Sequence, residues 1–189
     1  MDRAKIPLVL ASGSPRRLKL LQAAGFSPKV QIPGTPEVQN PGESVEQLVS
    51  RLAREKARAI AETESVVVAG DTVVVLQGEI LGKPNSPAHA EEMLNRLSGS
   101  THRIVGGWCV CRGEEILYGV EACQVQFRDL SRTEISEYVQ SGEPLDKAGG
   151  YGIQGGAGGF VSRFSGYWSN AIGLPLVPVT FSIEQLARR

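Results

Sequence analysis

The sequence predicts an α/β protein with strands and helices mixed along the chain and a long antiparallel section in its middle. Three observations carry this. Apolar Leu8 to Ala11 runs straight into a small-residue turn and a helix start. Capping residues then precede apolar stripes of helical period at three further places. Between His102 and Arg128 lie three successive strand candidates, each bounded by turn residues or a charge.

In chain order, Ser14 suits the N-cap of the first helix and Pro15 its first position, where a missing N–H costs nothing. That helix runs from about Pro15 to Ala24, with Gly25 closing it. Phe26 to Ile32 reads as a short strand, and Gly34 to Gly42 as a loop, with acids at Glu37 and Glu43. A second helix starts at Ser44, with Gln47 completing a capping box. Its core face is Val45, Leu48, Val49, Leu52, Ala57 and Ile60, and Lys56 falls on that face. An ammonium on an apolar stripe either snorkels to the edge or points into a polar cavity.

Ser65 to Ala69 is a buried strand ending in Gly70-Asp71-Thr72, after which Val73 to Leu76 resumes. A glycine and an acid at the carboxyl end of such a strand mark where ligands bind in open α/β sheets; a bulge or turn is the structural alternative. Gln77-Gly78 is a hairpin turn, Ile80 to Lys83 the return strand, and Lys83 ends it near Asp71. The third helix has Ser86 as cap, Pro87 in the first turn and Gly99 as stop. Strands follow at His102 to Cys111, Glu115 to Val120 and Ala122 to Arg128, with Trp108 in the core. A fourth helix opens on the capping box Ser131 and Glu134 and ends at Ser141-Gly142. Gly142 to Gly159 is glycine-dense, yet Glu143, Asp146, Lys147, Tyr151 and Gln154 make it more than a linker. Phe160 to Phe164 is a strand. The last helical region begins near Leu174, with Pro178 delaying or kinking it and Ser182 an alternative cap.

Composition sets bounds on function. Lysine plus arginine and aspartate plus glutamate balance at 20 each, so any anion binding must come from a local cluster. No apolar run approaches a membrane span, and the N-terminus lacks a signal-peptide core. Three cysteines do not make a disulfide framework, which points to a reducing cytoplasm. His89 and His102 have no ligand-like spacing to the cysteines, so a zinc site is not expected. Neither a Walker P-loop nor a dinucleotide fingerprint is present. The local cluster is at the first helix. Arg16 and Arg17 sit in its first turn, where the dipole disfavours cations. They are either solvated surface residues or half of a phosphate site built on a helix N-terminus.

Four segments together resemble one family, the Maf nucleoside triphosphate pyrophosphatases. They are Ala11-Ser-Gly-Ser-Pro-Arg-Arg17, Leu52-Ala-Arg-Glu-Lys-Ala57, Gly70-Asp-Thr-Val73 and Gly142-Glu-Pro-Leu-Asp-Lys-Ala-Gly-Gly-Tyr-Gly-Ile-Gln154. The resemblance spans nearly the whole chain. It implies one domain over residues 1–189: an elongated, bent mixed β-sheet flanked by helices, in two lobes with a central cleft. It further implies a homodimer, and hydrolysis of a nucleoside triphosphate to monophosphate and pyrophosphate with a divalent cation (Mg²⁺, Mn²⁺ or Co²⁺).

The subgroup acting on dTTP and UTP carries an arginine after Ser-Pro, a threonine after the aspartate and a glutamine in the glycine loop. Arg16, Thr72 and Gln154 match these as specificity residues. Asp71 falls on the catalytic aspartate and Ser12, Arg17, Lys56 and Lys83 on phosphate-handling positions. Glu37, with Asp71, falls on an acidic position suited to metal. No nucleic acid or membrane is implied as partner. Two departures stand out. Ala69-Gly70 replaces the usual Gly-Ala and predicts an altered local turn, and Gly106-Gly-Trp-Cys-Val-Cys111 is unlike the typical strand. A nucleotide-binding regulatory module linked to cell division, and a triphosphatase releasing only orthophosphate, are the competing readings.

Overall fold

Strand period and helix capping between them account for most of the elements. In the computed structural model, which describes residues 2–60 and 64–188, β1 is Leu8–Ala11, α1 Pro15–Ala23, β2 Lys29–Gln31 and α2 Val45–Arg58. β3 (Val66–Leu76), β4 (Glu79–Leu81), α3 (Pro87–Leu97), β5 (Thr101–Arg112) and β6 (Glu115–Phe127) follow. The chain continues through α4 (Arg132–Gln140), β7 (Val161–Ser165), α5 (Trp168–Ile172) and α6 (Leu176–Ala187). The sheet is mixed, in the order β2-β1-β3-β5-β6-β7 with β4 on β3. β1 runs parallel to β2 and β3, whereas β4 lies antiparallel to β3 and β7 to β6. The expected α/β sheet flanked by helices is present.

The two capping boxes form as read, with Ser44 and Gln47, and Ser131 and Glu134, each exchanging both hydrogen bonds. Gln77 and Gly78 both take positive φ, 52° and 86°, in a two-residue hairpin turn between Leu76 and Glu79.

Several expectations need correction. Gly70-Asp71-Thr72 neither ends a strand nor forms a turn, since β3 runs through it unbroken. Glu115 to Phe127 is one strand, because Glu121 stays partly exposed and does not interrupt the ladder. Ser14 occupies the N-cap position but makes no side-chain cap; its N–H instead donates to Ser12 Oγ at 3.2 Å. α6 starts at Leu176 with Pro178 in its first turn, where amides have no helical acceptor, so the proline neither delays nor breaks it. Ser182 is buried inside α6 and caps nothing. The short α5 has no sequence signature and was not expected.

The chain forms two compact units. One comprises Met1–Thr72, Gly106–Glu121 and Gly173–Arg189, the other Val73–Val105 and Ala122–Ile172. In the first, strand alternation sends Leu8, Leu10, Val66, Val68, Trp108 and Val110 to one face, against Leu21 of α1 and Val179, Ile183 and Leu186 of α6. Trp108 is thus core, as expected. Val9, Ala11, Val67, Ala69, Cys109 and Cys111 face the other way, onto Ala53 and Ala57 of α2. Gly107 makes this second contact close. A Cβ there would lie 2.1 Å from the carbonyl oxygen of Val49, so α2 rests its backbone directly on β5. The unusual Gly106-Gly-Trp-Cys-Val-Cys111 segment therefore seats the helix that carries Lys56.

In the second unit, edge-to-face rings of His102, Phe127, Tyr151, Phe160 and Tyr138 form an aromatic core beneath the glycine-dense segment. His102 Nε2 lies 2.6 Å from Tyr151 Oη, and the imidazole is fully buried. Burial pulls its pKa from 6.5 down to about 4. The unfolded chain therefore binds this proton from about pH 6.5 downward while the folded one refuses it. Stability falls as pH drops, from about 6.5 until the folded pKa is passed. The protein is expected to lose about 2 kcal/mol between pH 7 and pH 5 through this group alone. Urea titrations at the two pH values test this; His102→Gln should have a correspondingly shallower pH dependence, and an unchanged one would remove His102 as its source.

Candidate active site

Period two along β3 sets the geometry of the site. Asp71 continues the face of Val67 and Ala69, toward α2, whereas Gly70 and Thr72 continue the face of Val66 and Val68, toward α1 and α6. Neighbouring residues of one strand thus begin two different polar groups.

On the α2 face, Lys56 departs from one of the two readings of an ammonium on an apolar stripe, the snorkelling one. It is 5% exposed, so it does not snorkel, and the anions it meets are the protein's own. Its Nζ donates to Asp71 Oδ1 at 2.7 Å and to Glu37 Oε1 at 2.5 Å. Asp71 is 7% exposed, whereas the Glu37 side chain is 58% exposed. One cation therefore joins a buried carboxylate to a solvated one.

On the other face, Arg17 reaches back from the first turn of α1. Its Nη1 donates to Ser12 Oγ at 3.0 Å, its Nη2 to Thr72 Oγ1 at 3.2 Å and its Nε to the Gly173 carbonyl at 2.8 Å. Thr72 Oγ1 donates to the same carbonyl at 3.3 Å. A Cβ on Gly70 would meet Arg17 Nε at 3.4 Å and both Leu174 Cδ1 and the Gly107 carbonyl at 3.2 Å. The Ala69-Gly70 order thus admits the guanidinium across the strand; it does not reshape a turn. Burial pulls the Arg17 pKa below its ordinary value, opposed by the charges of Asp71 and Glu37 and reinforced by Arg16. A guanidinium has five N–H donors, so two remain open to an anion after these three bonds. Arg16 has no hydrogen-bond or ion-pair partner among the described residues and is half-buried. Taken together, the two groups hold three cations, Arg16, Arg17 and Lys56, and two carboxylates, Glu37 and Asp71, an excess suited to a polyphosphate.

Of the sequence-predicted residues, Ser12, Arg16, Arg17, Glu37, Lys56, Asp71 and Thr72 lie in the first unit and form these two groups. Lys83 and Gln154 belong to the second. Lys83 lies two residues past the end of β4 and is exposed, and Gln154 is exposed in the turn between Tyr151 and Gly156. The Gly173 carbonyl was missed. A backbone acceptor leaves no trace in the sequence beyond the glycine itself, which adopts φ 138°.

Among the described residues, no group of three or more histidine, cysteine, aspartate or glutamate side chains converges in a way that would cage a metal ion. A hard cation of the Mg²⁺ class does not need such a cage, because it is held by one or two carboxylates together with substrate phosphates and water. Asp71 and Glu37, whose oxygens meet at one ammonium, fit that requirement.

Compared with known proteins, the sequence matches the family described as Maf-like protein over residues 7–186. It is 48% identical over 173 residues to the dTTP/UTP pyrophosphatase of Salmonella typhimurium, covering 90% of this chain and 88% of that one. With the dTTP/UTP pyrophosphatase of Symbiobacterium thermophilum it shares 46% identity over 171 residues, covering 89% and 88%. Among solved structures, a HAM1 protein from Coxiella burnetii is similar at a TM-score of 0.47 and 16% identity over 97% of each chain. The family match takes in both polar groups and the glycine-dense segment. The chain belongs to the Maf family.

Proposed function

We propose that this protein hydrolyses dTTP and UTP to the monophosphate and pyrophosphate, with Asp71 taking the proton of the attacking water. The observation that carries the reading is the buried Asp71–Lys56 pair joined to Glu37. A carboxylate held in place inside the protein, beside a surplus of cations, is what water attack on a bound polyphosphate requires. Identity of 46–48% to relatives named dTTP/UTP pyrophosphatase supports the substrate class.

Asp71 and Glu37 are the residues that would hold a divalent cation, which when bound neutralises phosphate charge and makes water a better nucleophile. Lys56 fixes the Asp71 carboxylate and lies where it can also meet phosphate charge. Arg17 offers its two open N–H donors to phosphate oxygens, beside Ser12, and Lys83 is assigned to the same task. Arg16, Thr72 and Gln154 are assigned to base choice. The Thr72 hydroxyl already spends its proton on Gly173 and one lone pair on Arg17. It remains an acceptor only. That suits the N3–H of thymine or uracil and not the bare N3 of cytosine.

The reading extends to a cytoplasmic enzyme working as a single domain of two units. Three free, buried cysteines support a reducing compartment. Among the described residues, no helix is long and apolar enough to cross a membrane. The homodimer implied by the family finds support in Val177 and Phe181, exposed one turn apart on α6. A panel of dTTP, UTP, CTP, GTP and ATP with Mg²⁺, scored for product, tests the function. Pyrophosphate is expected from dTTP and UTP, with CTP about fivefold to more than a hundredfold slower because an unmatched polar edge costs about 1–3 kcal/mol. Orthophosphate as the only product, or tight binding with no product, would replace this reading with a triphosphatase or a regulatory module.

A further inference from the structure

Glu143 and Tyr138 lie in the glycine-dense half of the second unit, outside the machinery assigned so far. A carboxylate in such a loop looks like a ligand for substrate or metal, yet both its oxygens are used within the protein. Tyr138 Oη, presented by α4, donates to Glu143 Oε1 at 3.1 Å, and the Gly156 N–H donates to Glu143 Oε2 at 3.0 Å. The Gly152 N–H donates in turn to Tyr138 Oη at 2.9 Å. Gly155 N–H closes the turn onto the Gly152 carbonyl at 2.9 Å. Residues 152 and 156 are thus fastened to one tyrosine–glutamate pair, and Gln154 sits midway between them. Its side chain is exposed and has no hydrogen-bond partner among the described residues. The tyrosine is itself anchored, since its ring packs edge-on against Phe160 at 5.2 Å between centroids.

We infer that Glu143 and Tyr138 are positioning residues for base selection, clamping the turn on both sides so that Gln154 meets the base edge in one pose. The inference rests on the reading of Gln154 as a specificity residue. A glutamine has several rotatable bonds, so its hydrogen bonds to a base discriminate only if the backbone beneath it is fixed. The tyrosine is suited to the middle of the relay. Burial raises its pKa well above the ordinary value, so it keeps the proton it donates to Glu143.

Tyr138→Phe keeps the ring and removes only the hydroxyl. In this variant the KM for UTP is expected to rise and the preference for UTP over CTP in kcat/KM to fall about threefold to tenfold, with kcat within about twofold, the scale of one hydrogen bond. In a Gln154→Ala background the same substitution should change the preference no further, because the clamp acts through Gln154. Losses that multiply across the double variant would overturn the inference, since they would mark general weakening of the unit. So would an unchanged preference in Tyr138→Phe when Gln154→Ala lowers it; that result leaves the Gln154 reading standing. If Gln154→Ala itself leaves the preference intact, that reading falls and takes the inference with it. Glu143→Gln, which removes one acceptor while keeping shape, repeats the test through the other member and serves in full should Tyr138→Phe not fold.

Discussion

Asp71→Asn is expected to lower kcat for UTP by about a hundredfold to ten-thousandfold, the range for loss of a positioned proton acceptor, while the protein stays folded and binds nucleotide. Retention of the fold follows from shape. Asparagine matches the aspartate outline, and its amide oxygen can still accept from Lys56 Nζ, now 2.7 Å from Asp71 Oδ1. Exchanging an ion pair for a hydrogen bond from the ammonium to a neutral amide costs about 1–2 kcal/mol, within the usual stability of a domain. The catalytic loss has two sources, a missing proton acceptor and a weakened cation site, and they separate experimentally. Raising Mg²⁺ rescues a variant limited by metal occupancy and leaves one limited by proton transfer unchanged. Turnover measured over a Mg²⁺ series, with calorimetric titration of a non-hydrolysable UTP analogue, checks both. Turnover within tenfold of the parent protein would remove Asp71 as the base.

That site was legible in parts, and the line between parts is physical. Capping boxes at Ser44 and Ser131 read directly because both partners lie within one turn. Lys56 stood out as a charge on an apolar stripe, since helical period is local. Its partners are 15 and 19 residues away, and nothing in spacing alone joins them. Gly70 misled for the opposite reason. Within a strand a glycine reads as an end or a bulge, whereas its purpose is tertiary, leaving room for Arg17 and Leu174. The Arg16-Arg17 pair read as an anion site from the helix dipole, but the dipole argument treats the two alike. The family resemblance gives them different roles, and the fold adds the contacts, since Arg17 is bound to Ser12, Thr72 and Gly173 while Arg16 has no such partner among the described residues. Glu143 drew notice by charge in a glycine-rich run, and its hydrogen bonds to Tyr138 and Gly156 depend on a loop closure that no pattern encodes. The family motifs bridged these gaps by naming positions, without giving the contacts that explain them.

Lys56→Met tests why a charge was placed on that stripe at all. Methionine is nearly isosteric and suits the apolar face of α2, so helix propensity and packing change little. The cost lies in what remains, because Asp71, with a side chain 9% exposed, loses its counter-ion. Breaking a buried pair from one side costs about 3–5 kcal/mol, and a loss of that size is expected in urea unfolding. The second arm behaves differently. Glu37 is solvated, so Glu37→Gln should cost no more than about 1 kcal/mol while raising the Mg²⁺ needed for half-maximal turnover. The double variant Lys56→Met with Asp71→Asn leaves no buried charge and should regain most of the lost stability, because the two substitutions share one interaction. It should regain no activity. A stable, inactive double variant would mean that the buried pair is kept for the placement of a reactive carboxylate and not for the fold. A Lys56→Met penalty below about 1 kcal/mol would instead mean that Asp71 finds enough water or other partners to stand alone, and that the ammonium's principal business is with the phosphates.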